Sequence, residues 1–320
     1  KLVVASWNVE WLFDGRDDPS ASPYAGDAAA AADHLRAVGA VVGSLGADVL
    51  VLAEVEGCGM LSALAAEAGA EAAARYKPYL RRGGDTALGQ NVGLLTKVDP
   101  AEDLARDTRA VDFPLAGSKC GYASHGRTTA SKHFATRIEV ANRTIALFGV
   151  HFKAFPTDPY ACAKREGQAL IVRDQIKAAL AGGEEVILAG DFNDLSELVP
   201  DVQGSRPTSR VLAMLRDPNE DGTDELFEVA AFLPRDKRYT SFWDHSPKNG
   251  AVDGNDELSS IDHLLVTAGL KNLVESVRID HSIDPTVVSD HFPIVVTLNL
   301  ASGGHDDDQK EEEEEEEEKE

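Results

Sequence analysis

Val186-Ile187-Leu188-Ala189-Gly190-Asp191-Phe192-Asn193 decides how the rest of this chain is read. An apolar run with β-branched residues and a glycine at its end is the pattern of a short buried strand. If the strand continues, Asp191 and Asn193 leave on the same face, because side chains alternate with period 2. One is then an anionic oxygen ligand, the other an amide that can donate to a phosphate oxygen. An ordinary strand-to-turn transition supplies Asp and Asn just as readily, so the surrounding chain has to decide between the two.

Upstream, residues 160–180 read as a long helix. Residues 134–140 and 144–150 read as a hairpin around Asn142 that delivers His151. Earlier still, residues 2–9 form a first strand and Ala28–Leu45 a helix with Asp27 as N-cap. Residues 48–54 form a second strand that ends on the Glu54 carboxylate. Residues 60–75 are helical, Asn91–Thr96 is a strand, and 98–130 is irregular with a short strand or two. Downstream, 209–216 and 226–233 read as short helices flanking an acidic loop. Residues 238–243 are strand-like, and 260–266 and 293–298 are strands. Strands interleaved with helices indicate an α/β fold.

The chain has 320 residues, 43% of them hydrophobic, which suits one globular unit over residues 1–300. No apolar run reaches a bilayer span. The formal charge is −24; residues 305–320 hold twelve acids and two bases, or −10, which leaves −14 on the body. Such a body repels nucleic acid at long range, although a local basic groove and a bound metal can offset it. The tail, 301–320, is expected to be disordered, able to bind cations weakly or to cover a basic groove in cis. The first residue is Lys1, as a removed signal peptide or a trimmed end would leave it, and Asn142-Arg143-Thr144 is a glycosylation sequon in a turn. Secretion is the expectation, as a monomer.

Polar residues recur where the apolar strands begin or end: Asn8, Glu54, His151, Asp191, Asn193, Asp262, Asp290 and His291. Each alone is a turn residue or a satisfied core neighbour. Together they mark one rim of a layered fold, where sites are built. The set suits phosphoester hydrolysis. Mg2+, or Mn2+, needs oxygen ligands and keeps waters, so one or two carboxylates suffice, with Glu54 the best candidate. His291 paired with Asp262 suits proton transfer. No Cys/His cluster has zinc spacing, and neither a P-loop nor G-x-S-x-G occurs.

Ser6-Trp7-Asn8-Val9, Leu52-Ala53-Glu54-Val55, Gly149-Val150-His151-Phe152, Gly190-Asp191-Phe192-Asn193, Ser260-Ile261-Asp262-His263 and Ser289-Asp290-His291-Phe292-Pro293 stand in order along the chain. In this the sequence resembles the endonuclease/exonuclease/phosphatase superfamily, most of all its secreted or uncharacterised bacterial and protist members. The resemblance implies a four-layer α/β/β/α sandwich of two packed mixed sheets flanked by helices, and a divalent-metal hydrolase. It implies that Glu54 is the main metal ligand with Asn8 and Asp290 close by, and that Asp191 orients or deprotonates water. Asn193 would hold the scissile phosphate, and His151 would touch it or assist the leaving group. His291, with Asp262, would be base or phosphate contact. Ala53 departs from the glutamine common in the family, with little consequence expected while Glu54 is present.

Residues 217–228 match a calcium loop, with Asp217, Asn219, Asp221, Thr223 and Glu228 as ligands. Asp224 and Pro218 fit it poorly, and a solvated acidic loop is the plain alternative to a structural Ca2+. A disulfide between Cys120 and Cys162 would brace the rim near His151; three unrelated thiols, Cys58 included, is the other reading. Arg137 and Lys153 are candidate phosphate contacts, and Lys164 is a surface charge. Phe242 and Trp243 read as core packing before base stacking. The function expected is hydrolysis of a small phosphomonoester or phosphodiester. The first alternative is an extracellular nuclease; the second is a binding module on the same fold. A lipid phosphate would call for a membrane-facing stretch, which is lacking.

Overall fold

The computed structural model describes residues 1–245, 248–254 and 257–302. The first half runs β1 (Leu2–Leu12), α1 (Ala28–Leu45), β2 (Val49–Val55), α2 (Cys58–Glu67), α3 (Ala70–Arg75), β3 (Lys77–Leu80), β4 (Asn91–Thr96), β5 (Val111–Phe113), β6 (Gly126–Thr128), β7 (His133–Val140) and β8 (Arg143–His151). It continues with α4 (Pro159–Ala181), β9 (Glu185–Asp191), α5 (Val211–Arg216), β10 (Leu226–Glu228), β11 (Ser241–Phe242), β12 (Leu258–Ser259), β13 (Asp262–Thr267), α6 (Ala268–Lys271), β14 (Val274–Ile279) and β15 (Ile294–Leu298). Two mixed sheets form, one ordered β14-β15-β1-β2-β4-β3 and the other β10-β13-β9-β8-β7. They pack face to face, β1 and β2 over β9 and β4 over β8. Helices α1 and α2 cover the first sheet outside, and α4 and α5 the second. This is the four-layer α/β/β/α sandwich.

Alternation explains how the layers hold. Ile145, Leu147, Ile187, Ala189, Leu264 and Val266 pack between the sheets. Their neighbours Ala146, Phe148, Val186, Leu188 and Leu265 pack against α4 and α5. Both faces are buried, so these strands read as unbroken apolar runs. Asp27 caps α1 by accepting from the Ala30 amide at 2.9 Å. The β7–β8 turn places Ala141 (φ 50°) and Asn142 (φ 59°) in the left-handed region, as a tight two-residue hairpin requires. Asn142 is exposed there.

Two readings are corrected. The helix of residues 60–75 is two, because Gly69, at φ 109°, cannot continue one. Residues 226–233 are not a helix: Leu226, Phe227 and Glu228 pair with Thr267, Val266 and Leu265 of β13, and a single 3-10 turn follows. Helical spacing of Leu226, Val229, Ala230 and Leu233 loses to edge pairing with an apolar strand. Strands β3 and β14 escape notice because they are sheet edges: one carries Pro78, the other alternates with exposed polar residues. Cys120 and Cys162 are disulfide-bonded with Cα atoms 5.6 Å apart, while Cys58 is free and exposed. From residue 303 the acidic tail lies outside the described residues.

Candidate active site

His151 and Asp191 end, and Asp262 begins, the runs that fill the space between the sheets, and all three share the parity of those inward residues. They therefore project inward at the rim, where burial ends. Register puts them side by side: Asp191 pairs with His151 of β8 and with Asp262 of β13. Gly190 precedes Asp191 at φ 147°, and a Cβ there would lie 1.9 Å from the Val150 carbonyl oxygen, so only glycine lets the strands approach. From the other sheet, β1 and β2 lose register after Asn8 and Leu52. Glu10, Trp11 and Glu54 adopt left-handed φ of 49°, 59° and 63°. For such residues this costs ~1–3 kcal/mol each, strain that functional rims tend to keep.

The side chains meet. Asn8 Nδ2 donates to Glu54 Oε1 at 3.2 Å and to Asp191 Oδ2 at 3.0 Å. Glu54 Oε2 accepts from the Trp11 amide at 3.2 Å. Asn193 donates to Asp191 through its amide at 2.7 Å and through Nδ2 at 3.1 Å. His151 Nε2 lies 3.6 Å from Asp191 Oδ2 and 3.9 Å from Glu54 Oε1. His291 Nδ1 bonds Asp262 Oδ2 at 2.7 Å, and Asp290 Oδ1 lies 3.7 Å from His291 Nε2. Trp7 Nε1 donates to the His291 carbonyl at 2.7 Å, and Ser289 Oγ to the Asn8 carbonyl at 2.8 Å, fixing the last segment to β1.

Electrostatics suit this rim to a cation. Burial, then the negative charge of Asp262, pushes Asp191 up to about 7. Burial raises Glu54 and Asp290 too, and it raises Glu10 to about 7 with help from Asp290. Against burial, the Asp262 and Asp290 charges and the Asp262 hydrogen bond hold His291 well above the usual imidazole range. His151 is driven well below it by burial and then by Lys132. Four crowded carboxyls, all shifted towards neutrality, are what a cation would restore to carboxylates. Asp262 Oδ1 and His151 Nδ1 are buried without partners. Asp191, Asp262 and His291 each offer a ligand atom within 4.8 Å of the others, but the His291–Asp262 bond already engages two of these groups. The oxygen-rich remainder around Glu54, Asn8 and Asp290 fits a hard divalent ion.

Other expected residues fall elsewhere. Arg137 is not at the rim: it lies well along β7 from the site end, where Glu184 and Glu102 take its guanidinium. Lys153 follows His151 on the rim, half-buried. The calcium loop loses its last ligand. Glu228 is a buried strand residue that accepts from Ser196 at 2.7 Å and Arg216 at 3.0 Å, with His263 Nδ1 at 3.2 Å. Asp217 and Asp221 gather with Glu225 instead; Asn219 donates to Glu225, and the Thr223 amide to Asp221. Phe242 is buried, whereas Trp243 is 65% exposed.

Two residues were missed. Glu10 accepts from the Asp290 amide at 3.0 Å; it stands two residues after Asn8, the spacing that drew attention to Asn193. Lys132 Nζ lies 3.4 Å from His151 Nε2 and donates to Gln90 at 3.1 Å; a lysine before a strand carries no signal of its own.

The Endonuclease/Exonuclease/phosphatase family model matches residues 5–291. No curated protein matches the sequence. Among solved structures, the 3′ phosphatase NExo from Neisseria, bound to product DNA hairpin, superposes with a TM-score of 0.57 at 14% identity, covering 93% of this chain and 100% of that one. An endonuclease/exonuclease/phosphatase from Beutenbergia cavernae gives 0.55 at 18% identity over 92% of this chain and 70% of that one. Truncated Caenorhabditis elegans TDP2 gives 0.54 at 18%, over 93% and 96%. Likeness at such identities carries the fold alone. The family model spans nearly the whole chain and every strand end that builds the rim, and the chain belongs to the Endonuclease/Exonuclease/phosphatase family.

Proposed function

We propose that this chain is a divalent-metal-dependent phosphoester hydrolase. The observation that carries it is the unbroken chain of contacts from Glu54 through Asn8 to Asp191 and Asn193, beside the His291–Asp262 pair. Glu54, Asn8 and Asp290 would hold Mg2+ or Mn2+, which when bound supplies positive charge to the phosphoryl oxygens. Asp191, held by donors from Asn8 and Asn193, would orient a water and take its proton. Asn193 Nδ2 offers a donor to a non-bridging phosphate oxygen. His291, whose Nδ1 is bonded to Asp262 and whose affinity for a proton that carboxylate raises, would serve as a phosphate contact or in proton transfer. His151, held neutral, offers a hydrogen bond to the phosphate or leaving oxygen.

The substrate is a small phosphomonoester or phosphodiester, which suits the acidic body. A nuclease is the second reading. It is favoured by Lys132 and Lys153 beside His151, and by neighbours that include a 3′ phosphatase bound to product DNA hairpin and an AP endonuclease from Archaeoglobus fulgidus. The Cys120–Cys162 bond and the exposed sequon at Asn142 support secretion. No helix among the described residues is long and apolar enough to cross a membrane.

The test is one purified sample with Mg2+, given plasmid DNA and, separately, small mono- and diesters, with EDTA and Glu54→Ala as blanks. Turnover that needs both the metal and Glu54 is expected. Binding without turnover would leave a non-catalytic module, and turnover that survives Glu54→Ala would overturn the metal assignment.

A further inference from the structure

Arg165, in α4, is 0% exposed although charged. Its Nε donates to Asp194 Oδ2 at 2.9 Å, and its other nitrogens to the carbonyls of Lys153 at 3.0 Å, Phe155 at 2.9 Å and Pro156 at 2.8 Å. Gln168 accepts from the Lys153 amide at 2.8 Å. The loop leaving His151 thus has its carbonyls turned inward onto one guanidinium. A chain folded so tightly must reverse, and Phe155 takes the left-handed region at φ 73°, which an L-residue with a large side chain rarely adopts. Its ring is thrown outward and stands 62% exposed. Lys153 Nζ lies 5.0 Å from the ring centre, on one face.

This loop is joined to the chemistry. The Phe152 carbonyl accepts from Asn193 Nδ2 at 3.3 Å, and the Phe152 amide donates to the Asp191 carbonyl at 2.9 Å. Asp194, the partner of Arg165, follows Asn193 directly. A single exposed phenylalanine needs no explanation. A strained one, braced by a buried ion pair two residues beyond a site lysine, does.

We propose that Phe155 and Lys153 form a substrate-binding lip: a flat aromatic base stacks on the open face of the Phe155 ring while the adjoining phosphate lies against the Lys153 ammonium. The lip selects phosphoesters that carry an unpaired nucleobase beside the scissile phosphate over sugar or alkyl phosphoesters. Arg165 is its positioning residue. This rests on the hydrolytic reading above.

The experiment compares two short single-stranded oligonucleotides of equal charge and sugar–phosphate length. One has bases; in the other each base is replaced by hydrogen on a tetrahydrofuran ring. With Mg2+, wild-type kcat/KM should favour the base-bearing strand by about tenfold, the scale of base–aromatic stacking. Phe155→Ala should bring that ratio near unity, and Phe155→Trp should keep it. Phe155→Gly should lose the ratio with no fall in Tm, since glycine relieves the left-handed strain; this separates a lost platform from a lost fold. An unchanged ratio in Phe155→Ala, or a wild type that hydrolyses both strands alike, overturns the lip and leaves the hydrolase standing. If neither strand is hydrolysed, the single-strand nuclease reading fails, and the hydrolytic reading is judged by the small-ester assay above. The lip is then judged by Trp fluorescence in Phe155→Trp: quenching by a mononucleotide but not by ribose phosphate upholds it, and equal response to both refutes it.

Discussion

Asp191→Asn should gain in stability against the metal-free wild type as pH rises from 4 to 7, and exceed it near neutrality. The carboxyl is 1% exposed and stands at about 7 rather than the ordinary 3.8. A folded-state value above the unfolded one means that folding favours the protonated form. Wild-type stability is therefore undiminished below pH 3.8, falls through the window up to about 7, and stays low above it. At 1.36 kcal/mol per pH unit the loss sums to ~4 kcal/mol. Asparagine carries no charge and escapes it. It also replaces one acceptor with a donor, facing either the Asn193 amide or the side-chain amides of Asn8 and Asn193. That mismatch costs ~1–3 kcal/mol at every pH. The net effect is near zero or slightly destabilising at pH 4.5 and ~1–3 kcal/mol stabilising at pH 7.5. Urea unfolding in EDTA at four values between these would measure it. A difference between variant and wild type that stays flat with pH would refute the reasoning, as would one that shrinks. Adding Mg2+ should narrow the gap, because a cation beside Asp191 restores its carboxylate.

Other consequences are quickly checked. His291→Ala should lower kcat at least ~100-fold, measured on whichever ester is turned over. Arg165→Met leaves the buried Asp194 without its charge partner, with only the Ser209 hydroxyl and Leu195 amide donating to it, and should cost ~3–5 kcal/mol in urea unfolding. Replacing Cys120 and Cys162 by serine opens a loop of 42 residues and should cost ~4 kcal/mol by loop entropy, read as a fall in the unfolding midpoint. The buried His263–Glu228 pair has His263 raised and Glu228 lowered. Its stabilisation is fully present between the ordinary values of 4.5 and 6.5, and is lost as pH rises through the folded value of His263 or falls through that of Glu228. The stability gap to Glu228→Gln should peak in that window.

What the sequence showed follows the physics of burial. Val186 to Ala189 and Leu50 to Leu52 lie in strands covered on both faces, so their apolar runs announce themselves. The ends of those runs announce Asp191 and Glu54. β14 mixes Glu275, Ser276 and Arg278 among its apolar residues because its edge faces water, and no run survives to be read. Glu228 matched a loop motif by spacing alone; Arg216 and His263, distant in sequence, had the prior claim on its carboxylate. Arg137 was misplaced because a strand has two ends, and only register tells which one meets the site. Lys132 stayed hidden for the opposite reason: its role comes from what lies across the sheet, His151, and not from its neighbours in the chain.

Strand β15 lies between β14 and β1, and residues 2–6 pair with residues 294–298. β1 must therefore wait for β15. A nascent chain on the ribosome carries Glu54 early, but Asp290 and His291 only some 237 residues later, roughly 10–50 s at ordinary synthesis rates. Through that interval the growing polypeptide cannot assemble both halves of the rim. The rim therefore closes only once β15 and the segment before it have been made, however early its first carboxylate appears.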